Sequence, residues 1–170
     1  RDRPVQALIA ELREGTPRSI ARRQRVNPVA AAVRVPVPPV GLMPVGRLLH
    51  RIFPRDMWIH RLDIADATGR PFEVSAEHDG ALLAMAIEDA ARLVRKRQPG
   101  LGITLYLDGP AGGAWRLSEG PAEVSLQMSV PDFMRRTSER ASAAAVAERV
   151  SSNASRAEVV AALEALVAPY

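Results

Sequence analysis

The sequence predicts an α+β protein in which helices come first and strands follow. Apolar residues recur at helical spacing over most of residues 4–96, whereas residues 103–128 alternate between apolar and polar side chains with a period of two. The helices precede the strands rather than alternating with them, which argues against a doubly wound parallel sheet. The expected architecture is a helical N-terminal half followed by a small α+β C-terminal half with an antiparallel sheet.

Three helical segments separated by breaks are predicted in the first half. Residues 4–25 carry apolar side chains at helical spacing, although internal glycine and proline also allow two shorter helices. Residues 26–45 contain so many prolines that we expect an extended loop there. Residues 46–68 are predicted to be helical, with Pro54 starting a new helix or kinking the old one. A further amphipathic helix is predicted over residues 78–96.

The second half is predicted to begin with a three-stranded antiparallel meander. Residues 103–108, 115–117 and 124–128 alternate in polarity, and glycine-proline turns separate them. A helix is expected from Val130 onward, because proline follows in its first turn. The last helix is predicted to begin after Ser155, where glutamate three residues later completes a capping-box pattern.

The composition is that of an ordinary globular protein. The chain has 170 residues, of which 47% are hydrophobic and 25% are charged, and no apolar run approaches the ~20 residues of a membrane helix. Cysteine is absent, which excludes disulfides, a cysteine nucleophile and a cysteine-based zinc site. We therefore expect a cytoplasmic protein with no membrane partner.

The net charge of +4 does not by itself indicate a nucleic-acid partner. All but one of the 23 basic residues are arginine, and the 19 acidic residues are scattered among them. A continuous basic face of the kind that binds DNA or RNA is not expected. The densest group, Arg18, Arg22, Arg23 and Arg25, is either a solvated helix face or a contact for an anion.

Asp56 and His60 are the residues whose spacing most suggests chemistry. Residues four apart on a helix lie on one face about one turn apart, so this carboxylate and imidazole can bind the same metal ion. The same spacing is also common in ion pairs on helix surfaces, and that alternative stays open. His50 is expected to be a boundary residue beside Leu48, Leu49 and Ile52 rather than a third ligand. His78 is expected on the surface near a helix N-terminus.

Three stretches resemble a known family. The segment Arg55–Ala65, which reads RDMWIHRLDIA, resembles a helix signature of the mycothiol-dependent maleylpyruvate isomerases, which belong to the DinB-like metalloenzymes. Leu105–Gly113 and Val130–Phe133 resemble the second domain of that family, which is similar to sterol carrier proteins. The stretches occur in the order that the family has.

The resemblance implies a domain organisation and a metal site. Residues 1–75 correspond to an incomplete DinB-like bundle and residues 76–170 to the sterol-carrier-like domain. In the family an acidic residue and a histidine of one helix bind a divalent metal, commonly zinc, and this pair falls on Asp56 and His60. The family more often has glutamate at the first position. A histidine from an earlier helix is the third ligand, and we expect it in two helices that would precede Arg1.

The resemblance also implies an activity. The expected function is that of a metal-dependent, mycothiol-using isomerase or thiol transferase that acts on a small molecule. Asp63 would either orient the imidazole of His60 or pair with Arg61 or Arg70, and we favour the pairing. The alternatives are a non-catalytic module that binds a lipid or another small molecule, and an interaction protein with a relic metal site. An incomplete bundle would expose apolar surface, which favours a homodimer.

Overall fold

The computed structural model describes residues 3–38 and 41–168. Its contacts divide the chain into two compact units, residues 1–53 and 54–170, which are described separately below. The predicted division between residues 75 and 76 concerns the resemblance to two known domains, and it stays a prediction. No helix in the described part of the chain is long and apolar enough to cross a membrane.

The first unit contains short elements after one long helix. They are α1 (Val5–Gln24), α2 (Pro28–Ala32), β1 (Arg34–Val37), β2 (Gly41–Pro44), α3 (Val45–Arg47) and a π-helical turn (Leu48–Ile52). Helix α1 runs unbroken through Pro17, so the alternative of two shorter helices was wrong. None of its residues is buried.

The extended loop that we predicted for residues 26–45 was wrong for most of that segment. Asn27 caps α2 by accepting a hydrogen bond from the Ala30 amide at 2.8 Å, and Pro28 occupies the first turn, where a missing N–H costs nothing. β1 and β2 then form an antiparallel pair in which Pro36 lies opposite Leu42. A two-stranded ladder has two free edges, so proline is tolerated there. Residues 39–40 lie outside the described part of the chain.

The second unit has a three-stranded sheet with helices packed on it. Its elements are α4 (Phe53–Thr68), α5 (Ala76–Arg97), β3 (Leu101–Asp108), β4 (Gly113–Ser118), β5 (Ala122–Ser129), α6 (Val130–Thr137), α7 (Ala143–Ala147) and α8 (Arg156–Ala165). The predicted α+β class is confirmed. The capping box at Ser155 and Glu158 is confirmed as well.

The sheet is mixed, so the predicted antiparallel meander was wrong. The strand order is β4-β3-β5, with β4 antiparallel and β5 parallel to the central strand β3. The connection from β4 to β5 therefore passes across the beginning of β3. A Cβ on Gly120 in that connection would lie 2.3 Å from the carbonyl oxygen of Gly100, which is closer than real side chains come. Glycine at position 120 is what lets the two backbones pass each other.

The core of the second unit lies between this sheet and its helices. Its largest fully buried side chains come from all three strands and from helices α4, α5, α6 and α8. They include Leu62, Leu83, Val94, Ile103, Leu105, Leu117, Leu126, Met128, Phe133, Met134 and Leu163. The buried side chains of α4 belong to this cluster, so packing fixes one face of α4 and leaves the opposite face open.

Candidate functional site

The C-terminal end of helix α4 is set by local sequence. At its start the helix continues directly from the π-helical turn, so Pro54, its second residue, lies within a continuous helix and removes one backbone donor there. At the other end, Gly69 adopts a left-handed conformation with φ of 64°. The amide of Arg70 then donates to the carbonyl of Ala65 at 3.1 Å, which is the longer hydrogen bond of a Schellman motif. The candidate residues Asp56 and His60 therefore lie inside a regular helix with a defined stop.

The inner face of α4 is anchored by Trp58. Its ring is almost fully buried and meets the ring of Phe72 edge to face, with the ring centres 4.8 Å apart. Ile59 and Leu62 lie on the same buried side. On the same helix the buried Arg55 donates to the backbone carbonyl of Thr137 at 3.3 Å. These contacts fix the rotation of α4 about its own axis, and hence the direction of its outer face.

Asp79, at the start of α5, holds α4 from a second side. Its carboxylate accepts hydrogen bonds from Trp58 Nε1 at 2.9 Å, from the Ser75 amide at 2.8 Å and from Arg61 at 3.3 Å. Burial acts to raise the pKa of this carboxyl, but the three donors outweigh it and hold the pKa below the ordinary value. Asp79 is therefore an ionised anchor that holds α4 through Trp58 and Arg61.

The outer face of α4 brings three polar side chains together. His60 Nδ1 lies 3.3 Å from Asp63 Oδ2, and His60 Nε2 lies 3.6 Å from Asp56 Oδ1. The first distance is a hydrogen bond, whereas the second is too long for one. His60 is exposed, and the two carboxylates are half-buried. The imidazole is thus held by Asp63 on one side and faces Asp56 on the other.

Asp63 is itself fixed by an arginine from far along the chain. Arg140 Nε lies 3.2 Å from Asp63 Oδ1, and Arg140 Nη2 lies 3.2 Å from Asp63 Oδ2. The hydrogen bond from Arg140 lowers the pKa of the Asp63 carboxyl, and the interaction with His60 lowers it further. Asp63 was predicted to prefer Arg61 or Arg70. That prediction was wrong about the partner, since Arg61 bonds to Asp79 instead.

A second ion pair between an arginine and an aspartate lies next to this one. We call the two pairs, Asp63–Arg140 and Asp66–Arg135, arginine clips. Arg135 donates two hydrogen bonds to Asp66, at 3.1 and 2.6 Å, in the two-pronged geometry that guanidinium and carboxylate groups favour. Asp66 is one turn beyond Asp63 on α4. The two clips together tie α4 to the C-terminal end of α6 and the turn that follows it.

Exposed apolar side chains lie next to the polar cluster around His60. Met57 and Ile64, one turn away on either side, are 61% and 63% exposed. Ile64 also lines an open cavity of about 330 Å³ together with Arg61, Arg70 and Phe72. Exposed apolar side chains around a polar pair are typical of ligand-binding surfaces, whereas a solvated helix face is mostly polar.

The pair provides two metal donors, not a full set. Within residues 3–38 and 41–168, no group of three or more His, Cys, Asp or Glu side chains is placed to hold a metal ion. The expected zinc site is therefore unsupported as a complete site. His50 is exposed in the π-helical turn, and His78 is exposed in the first turn of α5, as predicted for that residue.

Sequence reasoning missed Arg140, Arg135 and Asp79. Charge pairing between residues more than 60 positions apart leaves no local pattern. The position of Asp79 had a partial signal, because it follows a serine by four residues at a predicted helix start.

Comparison with known proteins gives two structural neighbours. They are the crystal structures of a mycothiol-dependent maleylpyruvate isomerase and of a histidine-to-alanine mutant of that enzyme. Each is 20% identical to this chain, with a TM-score of 0.47 over 85% of the chain, and the chain spans 57% of each neighbour's length. No family model and no curated protein matches. The likeness is one of fold alone.

Proposed function

We propose that the chain is part of a metal-dependent enzyme that uses mycothiol as an isomerase or thiol transferase, with Asp56 and His60 as two of its metal ligands. The proposal follows the resemblance of residues 55–65 to the signature of that family. The observation that carries it is the 3.6 Å separation of His60 Nε2 and Asp56 Oδ1 on an open helix face. A metal ion with ligand distances near ~2.1 Å can bind both atoms.

The donor chemistry suits a zinc-like ion but leaves the site incomplete. A neutral imidazole nitrogen and a carboxylate oxygen are ordinary zinc ligands, and aspartate serves although its side chain is shorter than that of glutamate. A catalytic zinc takes three protein ligands, so the proposal requires one donor besides Asp56 and His60. When bound, the metal would supply a cationic centre that favours the thiolate form of a thiol, and mycothiol would supply that thiol.

The chain's own residues provide the rest of the environment. Nδ1 of His60 lies within hydrogen-bonding distance of Asp63, and Nε2 faces Asp56. Met57 and Ile64 add exposed apolar side chains one turn from His60 on either side. The cavity beyond Ile64 offers space of the size that small-molecule sites have.

Metal content tests this proposal directly. The chain is purified, loaded with Zn²⁺, dialysed and analysed by mass spectrometry beside Asp56→Ala, His60→Ala and His78→Ala. We expect the wild type and His78→Ala to retain zinc, because His78 lies on another helix. The other two variants are expected to lose it. A wild type that retains no zinc, or a His60→Ala variant that retains as much as wild type, would overturn the proposal.

A second candidate function is an interaction protein that forms a homodimer. Helix α1 favours it, because none of its residues is buried and four large apolar side chains, Val5, Leu8, Leu12 and Ile20, are exposed. Such a stripe on a 20-residue helix is typical of a surface that another helix covers. Light scattering on wild type and on a Leu8→Gln/Leu12→Gln variant tests it. A monomeric wild type would exclude this candidate.

A further inference from the structure

We propose that Arg140 is a positioning residue for the pair, acting on His60 through Asp63 so that Nε2 is the nitrogen left free for a ligand. The assignment rests on the proposed function of Asp56 and His60 as metal ligands. It adds a residue from outside α4, 77 positions beyond Asp63 in the chain.

The two ring nitrogens of His60 have different surroundings. Nδ1 is within hydrogen-bonding distance of Asp63 Oδ2, whereas Nε2 is 3.6 Å from the nearest carboxylate oxygen of Asp56. A neutral imidazole has one N–H, and its proton is most favourable where an acceptor is in range. The neutral ring therefore carries its proton on Nδ1. The lone pair of Nε2 then faces Oδ1 of Asp56, which is also an acceptor. A cation bound by both atoms makes this arrangement favourable.

Arg140 determines whether Asp63 can play this part. The guanidinium contacts both carboxylate oxygens of Asp63, at 3.2 Å each, so it fixes the plane of the carboxylate as well as its charge. An unrestrained aspartate on a helix surface samples several rotamers. Held by Arg140, the Oδ2 atom stays directed at Nδ1 of His60.

The position of Arg140 is in turn set by the backbone. Glu139, two residues after the end of α6, lies in the left-handed region at φ of 60°, and the Arg140 amide donates to the Arg135 carbonyl at 2.8 Å. This is the hydrogen bond that closes a Schellman motif. Arg140 therefore directly follows a hydrogen-bonded helix end, so its backbone position is defined, as a positioning role requires.

Asp66 and Arg135 provide a matched control. Their ion pair joins the same two elements one turn farther along α4, and no hydrogen bond or ion pair found in the structure links either residue to His60. Loss of this ion pair, like loss of Arg140, removes a link between α4 and the C-terminal end of α6. Any effect specific to Asp63 and Arg140 must then arise through the imidazole.

The first measurement is the tautomer of His60, and it needs no metal. Two-bond ¹H–¹⁵N correlation spectra are recorded on metal-free protein at about pH 8.5, where an ordinary histidine is neutral. We expect the proton on Nδ1 in the wild type and in Arg135→Gln. In Asp63→Ala and Arg140→Gln we expect a shift toward the Nε2-protonated form. An unchanged tautomer in Arg140→Gln would overturn the assignment.

The second measurement is the affinity for Zn²⁺, taken by competition with a chromophoric chelator. Loss of an outer hydrogen-bond partner typically weakens metal binding by ~10–100-fold, and we expect this for Asp63→Ala and Arg140→Gln. Asp66→Ala and Arg135→Gln should remain within about threefold of wild type. If the variants of both clips weaken zinc binding equally, Arg140 only helps to hold α4 in place and does not position His60. A wild type that binds no zinc would refute the proposed function, while the tautomer still decides the role of Arg140.

Discussion

Replacement of Asp79 tests whether the anchor of α4 is as strong as its geometry indicates. The carboxylate is 2% exposed and accepts three hydrogen bonds, one of them from the buried indole of Trp58. Asp79→Ala leaves that indole N–H without an acceptor, which costs ~1–3 kcal/mol, and removes a charge-assisted hydrogen bond from the Ser75 amide. Arg61 is partly exposed and can be rehydrated, so its share is small. We expect a loss of about 3 kcal/mol in the free energy of unfolding.

The assay is urea unfolding followed by far-UV circular dichroism, with Asp66→Ala as the control. Asp66 belongs to an ion pair in which its own side chain is 53% exposed, and such pairs contribute at most ~1 kcal/mol. Asp79→Asn should fall between the two, because its amide keeps an acceptor for Trp58 but loses the charge. An Asp79→Ala variant no less stable than Asp66→Ala would refute the argument.

The pH dependence gives a second check on the same residue. Because the pKa of Asp79 in the folded protein lies below its ordinary value of 3.8, the carboxylate stabilises the fold at every pH above that value. Its contribution is lost as the pH falls through the folded-state pKa. The stability difference between wild type and Asp79→Ala should therefore stay constant from pH 7 to about pH 4 and shrink below it. A difference that stays the same at lower pH would contradict ionisation of Asp79.

Three further predictions concern the fold. Gly120→Ala should cost more than ~3 kcal/mol in urea unfolding or prevent folding, because its Cβ would meet the backbone of Gly100, whereas Gly80→Ala, with open space around it in α5, should stabilise by ~0.5–1 kcal/mol. Ser155→Ala should lower the melting temperature, through loss of about 1 kcal/mol of capping. Asp132→Ala should cost ~2–3 kcal/mol in urea unfolding, because this buried carboxylate accepts hydrogen bonds from Arg149 and Ser129. Burial acts to raise the pKa of Asp132 but these donors keep it low, so the cost should decrease as the pH falls below about 3.8.

The elements were predictable where the signal is local, and the sheet topology was not. Helical periodicity indicated α5 to within two residues at either end, and the capping box at Ser155 indicated the start of α8. Alternating polarity located all three strands of the second unit, but a period of two is the same in parallel and antiparallel pairing. A short glycine-proline connection suggested adjacent strands. The overlooked signal was the set of glycines at positions 100, 102 and 120, which a simple hairpin does not need.

The candidate site divides in the same way. Spacing predicted that Asp56, His60 and Asp63 share one face, because a regular helix brings positions 56, 60 and 63 together, and the family resemblance singled out Asp56 and His60 as candidates. The arginine that fixes Asp63 was not predicted. All but one of the 23 basic residues are arginine, and the local sequence around an arginine does not indicate which carboxylate it pairs with. Only the packing of α4 against the end of α6 selects Arg140.

The two clips on α4 have different consequences although they are built alike. Asp63 pairs with Arg140 and Asp66 pairs with Arg135, so the later aspartate of α4 pairs with the earlier of the two arginines. That antiparallel order fixes the register of α4, and either pair alone would suffice to define it. Only the Asp63 pair also reaches the imidazole of His60. Docking and ring orientation are therefore separable: removing Asp66 or Arg135 should affect the stability of the fold alone, whereas removing Arg140 should also change which nitrogen of His60 can bind a ligand.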